Sequence, residues 1–141
     1  MAKFVLDASG IIEFLIPGPW TIDIRAFIDK LTADDQVFVP EFCLLECTNV
    51  IWKHTRFNGM PQAVAEDVLN VLQSMPLATV PSERLLMVAL QIAFTNTLSV
   101  YDCVYIALAR DLQCPLVSLD RMQRRAAQAE HVDVMIQMAT K

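Results

Sequence analysis

Residues 98–109 read LSVYDCVYIALA, and this run decides the fold class. Val100, Tyr101, Val104, Tyr105, Ile106, Leu108 and the alanines cover nearly the whole circumference of a helix. A helix that is apolar all round is buried. The chain has 141 residues, 55% of them apolar and only 19% charged. That balance points to an α/β domain whose sheet is covered on both sides, with strands apolar on both faces. One residue of the run resists burial. A carboxylate such as Asp102 is almost never fully buried without a partner. Ser99 and Asp102 have the S-x-x-D spacing of a capping box, and negative charge is favoured in a first helical turn. Capping alone accounts for Asp102, but three other acids stand in equally awkward places.

Outward from this helix, the chain alternates strands and helices. Strands are expected at 3–6, 37–39, 77–80 and 116–118, where short apolar runs rich in β-branched or aromatic residues end at turn signals. An edge strand is expected at 132–136. Helices are expected over 10–16 with Ser9 as cap, 21–31, 41 to about 54 opened by Pro40, 61 to about 75, from Pro81 onward, and 121–129. Pro17, Gly18 and Pro19 force a break. Such alternation implies a parallel sheet with right-handed crossovers, here four to five short strands in a three-layer α/β/α sandwich. By length the expected organisation is a single domain over 1–141.

Net charge is −5, with four lysines and seven arginines. No broad basic surface exists to release counterions, so a general nucleic-acid binder is disfavoured. A nucleic-acid substrate would need bound cations and a local arginine cluster. Cys43, Cys47, Cys103 and Cys114 fall in apolar stretches without a C-x-x-C pair and read as reduced core residues. The N-terminal apolar run is too short for a signal peptide, and no stretch reaches the ~20 residues that span a membrane. A cytoplasmic protein without membrane association is expected.

Asp7 closes the first strand and Asp120 follows the fourth, so both lie at the carboxyl ends of parallel strands, where ligands bind such sheets. Asp102, in the first turn of a helix entering from that side, can join them. Glu46, Asn49 and Lys53 form one polar stripe on an otherwise apolar helix. The stripe faces either solvent or the crevice, with Asn49 then orienting Glu46 or a metal-bound water. Clustered carboxylates repel and raise one another's pKa values unless a cation compensates. Hard oxygen ligands with room for water suit Mg²⁺ or Mn²⁺, and the matching chemistry is hydrolysis of a phosphate ester.

The pieces VLDAS (5–9), VPEFCLLECTNVIWK (39–53), LSVYDCVYIALA (98–109) and LVSLDRM (116–122) occur in an order and at spacings that resemble PIN-domain ribonucleases, most closely the small toxins of VapC type. The resemblance spans nearly the whole chain. It implies a PIN-like fold and a magnesium-dependent endoribonuclease, with manganese as an alternative ion. Asp7, Glu46, Asp102 and Asp120 are then the catalytic and metal-binding acids. Ser118 matches a hydroxyl position where threonine is commoner, and Ser9 and Asn49 match positions that support the acids. It further implies RNA as substrate, a homodimer, and a cognate antitoxin whose tail enters the site.

Arg121, Arg124 and Arg125 follow Asp120 on one short helix and are candidates to hold an RNA backbone; a solvated helix face is the other reading. Lys53, His54 and Arg56 cluster at a helix end, where cations are favoured in any case. His131 reads as a surface residue. Phe14 and Trp20 flank the Pro-Gly-Pro break and would suit an antitoxin or second subunit if exposed. The rival of another class is a catalytically inactive interaction module with the same fold. An aspartyl-phosphate phosphatase would need a second acid where Ser9 stands, and a receiver domain would need a lysine after a late strand.

Overall fold

The apolar runs form five strands in a computed structural model that describes residues 1–136: β1 (Lys3–Leu6), β2 (Gln36–Pro40), β3 (Leu77–Val80), β4 (Leu116–Val117) and β5 (Val134–Met135). Every pairing is parallel and the order is β3-β2-β1-β4-β5. Val5 sits centrally, in register with Phe38 on one side and Leu116 on the other. β5 lies at the edge, as expected. The helices are α1 (Ala8–Leu15), α2 (Thr21–Asp29), α3 (Cys43–Asn58), α4 (Gln62–Ser74), α5 (Leu86–Asn96), α6 (Val100–Leu112) and α7 (Arg121–Ala129), with a 3-10 turn at Glu83–Leu85 before α5.

From β1 the chain steps to β2 and β3 in one direction, then returns past β1 to β4 and β5. Right-handed crossovers therefore put α1 to α4 on one face of the sheet and α5 to α7 on the other. The packing agrees: α3 meets α1 and α4, while α6 lies on β1, β2 and β4 and touches α5 and α7. The α6 stretch from Cys103 to Ala109 is buried throughout, so the run that pointed to a covered sheet is the central helix of one layer. Cys43, Cys47 and Cys103 are buried free thiols, and Cys114 is half-buried.

Three of the boundaries that differ from the sequence expectations do so for a clear local reason. α1 begins at Ala8, because Asp7 rather than Ser9 is its cap: the Asp7 carboxylate accepts from the Gly10 N–H. Pro40 does not open α3. It pairs with Val80, the Glu41 N–H donates to the Val80 carbonyl, and this extra ladder bond delays the helix to Cys43. At its other end α3 runs to Asn58, because Gly59 adopts a left-handed φ of 76° and its N–H closes on the His54 carbonyl, the conformation glycine takes without strain. Among the described residues no single helix is long and apolar enough to cross a membrane.

Candidate active site

The sheet order reverses between β1 and β4, and the crevice of a parallel sheet opens beyond the carboxyl ends at such a point. β1 delivers Asp7 there and β4 delivers Ser118 and Asp120. Each acid singled out in the sequence stands at a helix N-terminus. Asp7 and Asp120 are the caps of α1 and α7, and Glu46 and Asp102 lie in the first turns of α3 and α6. Unpaired N–H groups and the positive end of the helix dipole favour negative charge at all four places. The four acids line one cleft of about 240 Å³, together with Ser9, Ile12, Val50 and Tyr105. Glu46 thus faces the crevice, not solvent.

Asp7 is the buried member. Its Oδ1 accepts from the Ser9 hydroxyl at 2.6 Å and the Gly10 N–H at 3.1 Å. Its Oδ2 lies 3.0 Å from Ser118 Oγ. Burial pushes its pKa up to about 7, against the pull of the Ser9 hydroxyl and the Gly10 N–H, and the Asp120 charge adds to the rise. Glu46 is raised by burial and by the charge of Asp102, opposed by the Tyr105 hydroxyl that donates to its Oε1 at 2.8 Å. Asp102 is raised by burial and by Asp120, opposed by a 3.0 Å bond from Ser99. The capping expectation for Ser99 holds as well, since its Oγ accepts from the Asp102 N–H. Asp120 accepts from the Met122 and Gln123 N–H groups through Oδ1. Charge coupling therefore links Asp120 to Asp7 and to Asp102, and Asp102 to Glu46. A proton or a cation relieves it.

Among the described residues, no three acids, histidines or cysteines close into a ready-made metal cage; the carboxylates form an open rim. The donor chemistry still fits a hard divalent cation. Mg²⁺ takes one or two carboxylates directly and keeps several waters, and the cleft has room for them at ~30 Å³ each.

The supporting residues divide. Ser9 Oγ donates to Asp7 and accepts from the Leu119 N–H at 2.9 Å, joining α1 to the loop after β4. Ser118 is completely buried between Asp7 and Gln123. Asn49 is exposed in the neighbouring apolar pocket with Phe42, Leu45 and Tyr101, and the side chain that orients Glu46 is Tyr105 instead. The arginines divide too. Arg121 and Arg125 are exposed. Arg124 Nη1 donates to the Ser118 carbonyl at 2.6 Å and the Met135 carbonyl at 2.9 Å, which makes it a clamp between β4 and β5 and corrects its expected place on the substrate path. Tyr105 reads only as core in the sequence, and Gln123 belongs to no motif there. Their one sequence signal is the i, i+3 spacing behind Asp102 and Asp120.

Fold and cleft together define an α/β/α protein carrying an acidic site at its topological switch point. The sequence model of the PIN domain matches residues 4–129, and the chain belongs to that family. It is similar to Ribonuclease VapC3 of Pyrobaculum aerophilum, 26% identical over 121 residues that cover 84% of this chain and 90% of the relative. Among solved structures, PAE2754 from Pyrobaculum aerophilum superposes with a TM-score of 0.71 at 19% identity, covering 94% of this chain and 83% of that one. Mycobacterium tuberculosis VapC20, a toxin that cleaves the sarcin-ricin loop, gives 0.67 at 13% identity, covering 87% and 94%. At these identities the two structures speak for the fold alone.

Proposed function

We propose that the protein is a divalent-metal-dependent endoribonuclease, acting with Mg²⁺ or Mn²⁺, and the toxin of a toxin–antitoxin pair. The observation that carries the reading is the convergence of four carboxylates from four helix N-termini on one cleft at the β1/β4 switch point. The family and the ribonuclease relative support it. When bound, a divalent cation supplies a water of lowered pKa and neutralises charge on the phosphoryl group. Asp7, Glu46, Asp102 and Asp120 would hold it. Tyr105 keeps Glu46 turned into the cleft, and Ser9 fixes Asp7 against the loop after β4. Arg121 and Arg125, on the turn after Asp120, attract the RNA backbone that the net negative chain otherwise repels.

A toxin needs a neutralising partner. The groove of about 320 Å³ between Phe14, Leu15, Val64, Val68 and Val71, with Arg25 and Asp67 also lining it, is a mainly apolar seat for an antitoxin segment, and the exposed apolar residues of α5 suit a homodimer. The protein is expected to act in the cytoplasm. The open rim of acids favours one second reading, a PIN-fold interaction module that has lost catalysis. The test is purified protein on a mixed RNA pool with Mg²⁺, Mn²⁺ or chelator. Cleavage is expected only with metal, and Asp102→Asn should lower it by more than about 100-fold while the melting temperature is kept. Full activity in that variant rejects the assignment. A wild type that neither cleaves nor gains melting temperature with Mn²⁺ supports the inactive module.

A further inference from the structure

Gln123 is a neutral amide, completely buried, in the first turn of α7. An unpaired amide there would cost roughly 1–3 kcal/mol, so its partners say why it is present. Nε2 donates to the Asp102 backbone carbonyl on α6 at 3.1 Å. Oε1 lies 2.7 Å from Ser118 Oγ. A carbonyl only accepts, so the amide has one orientation, with its NH₂ toward Asp102 and its oxygen toward Ser118. The single hydroxyl proton of Ser118 then goes to Gln123. The same Oγ accepts the Asp120 N–H at 3.1 Å and lies 3.0 Å from Asp7 Oδ2. With its proton committed to the shorter contact, Ser118 has none to give Asp7.

We propose that Gln123 is a positioning residue of the site. It draws the Ser118 proton away from Asp7, leaving Oδ2 unclaimed for a divalent cation. It also ties the start of α6, with Asp102, to the start of α7, with Asp120. Without it the Ser118 hydroxyl turns to Asp7 and competes with the ion. The activity part of this inference rests on the metal-dependent nuclease reading, and the binding part does not.

The experiment titrates Mn²⁺ into the full chain without RNA, following the free-ion electron paramagnetic resonance signal, and measures kcat and KM on an RNA oligonucleotide. Gln123→Met keeps the volume and removes both polar contacts. It should weaken Mn²⁺ binding by about 10- to 100-fold, the range for a group that orients a ligand, and lower kcat more than it raises KM. In a Ser118→Ala background the same substitution should add much less, since no hydroxyl proton remains to redirect; a role in packing alone gives additive effects. Gln123→Glu keeps the acceptor for Ser118 and loses only the bond to the Asp102 carbonyl, so it should bind Mn²⁺ more tightly than Gln123→Met or Gln123→Leu, whichever folds. Unchanged Mn²⁺ affinity in the folded apolar variant, additivity with Ser118→Ala, no advantage of Gln123→Glu over that apolar variant, or a wild type that binds no Mn²⁺ would each overturn the inference. A wild type that binds Mn²⁺ yet cleaves no RNA sinks the nuclease reading and leaves the inference to the binding data.

Discussion

Asp7 leaves only 4% of its surface accessible, where an ionised carboxylate is poorly solvated, and its pKa rises from 3.8 to about 7. A carboxyl whose folded value lies above its unfolded value binds the proton more tightly in the native state. Its contribution to stability is complete below about pH 4 and is lost as pH rises through 7. The size, at 1.36 kcal/mol for each unit, is on the order of 4 kcal/mol. Glu46 and Asp102 are shifted in the same direction but are half-buried, so solvent screens their share. In chelator, urea unfolding should therefore show a less stable protein at pH 8 than at pH 5. Asp7→Asn should flatten most of that slope, and excess Mn²⁺ should restore stability at pH 8 more than at pH 5. A wild-type slope of the opposite sign would mean that Asp7 is not the buried acid described.

At the scale of the element, α7 combines two kinds of arginine that its sequence does not distinguish. Arg124 holds the Ser118 and Met135 carbonyls, and charge-assisted bonds of this type contribute roughly 1.5–3 kcal/mol each. With two such bonds, partly screened because Arg124 is only half-buried, Arg124→Ala should lower the unfolding free energy by about 3 kcal/mol. Joint replacement of the exposed Arg121 and Arg125 by alanine should leave stability within about 0.5 kcal/mol and reduce the salt slope of RNA binding by about 2. An equal stability loss in both variants would remove the distinction. The RMQRR run (121–125) reads as one basic face, because the carbonyl of Met135 reaches Arg124 only after β5 has joined the sheet. Asp7, Asp102 and Asp120 are legible for the converse reason: each stands at a strand end or helix start, and those junctions are written in local pattern, whereas the side of the helix that Glu46 faces is not. Ser99 with Asp102 is local in the same way. Tyr105 and Glu46 are 59 positions apart, and no periodicity announces that pairing. Spacing along α3 points to Asn49 as one that orients Glu46 or a metal-bound water, because it ranks a neighbour one turn away above a hydroxyl arriving from α6, and it is Tyr105 that holds Glu46. The helix start misplaced at Pro40 has the same origin, since its ladder partner Val80 comes from a later strand.

At the scale of the molecule, the sheet order puts the acids at one end and leaves α5, in the layer opposite α1 to α4, with an uncovered apolar stripe. Leu86, Leu90 and Phe94 recur at i, i+4 and i+8 with Met87 beside them, all exposed, and Phe94 shows 77% of its surface. Fully burying one such side chain contributes about 1.5–3 kcal/mol, so the stripe is the natural seat of the proposed homodimer. A stable interface needs roughly 800 Å² from each partner, which asks for more than α5 alone; Val100 and Tyr101, exposed at the start of the adjacent α6, extend it. Phe94→Glu would place a charge without a partner in the centre of that contact and should shift a micromolar sample from dimer to monomer in sedimentation velocity, without loss of the folded state. Ile22→Glu, on α2 in the opposite layer and 82% exposed, should leave the sedimentation coefficient unchanged. If Phe94→Glu sediments as wild type does, or Ile22→Glu dissociates the dimer instead, the apolar stripe of α5 is not where two copies meet.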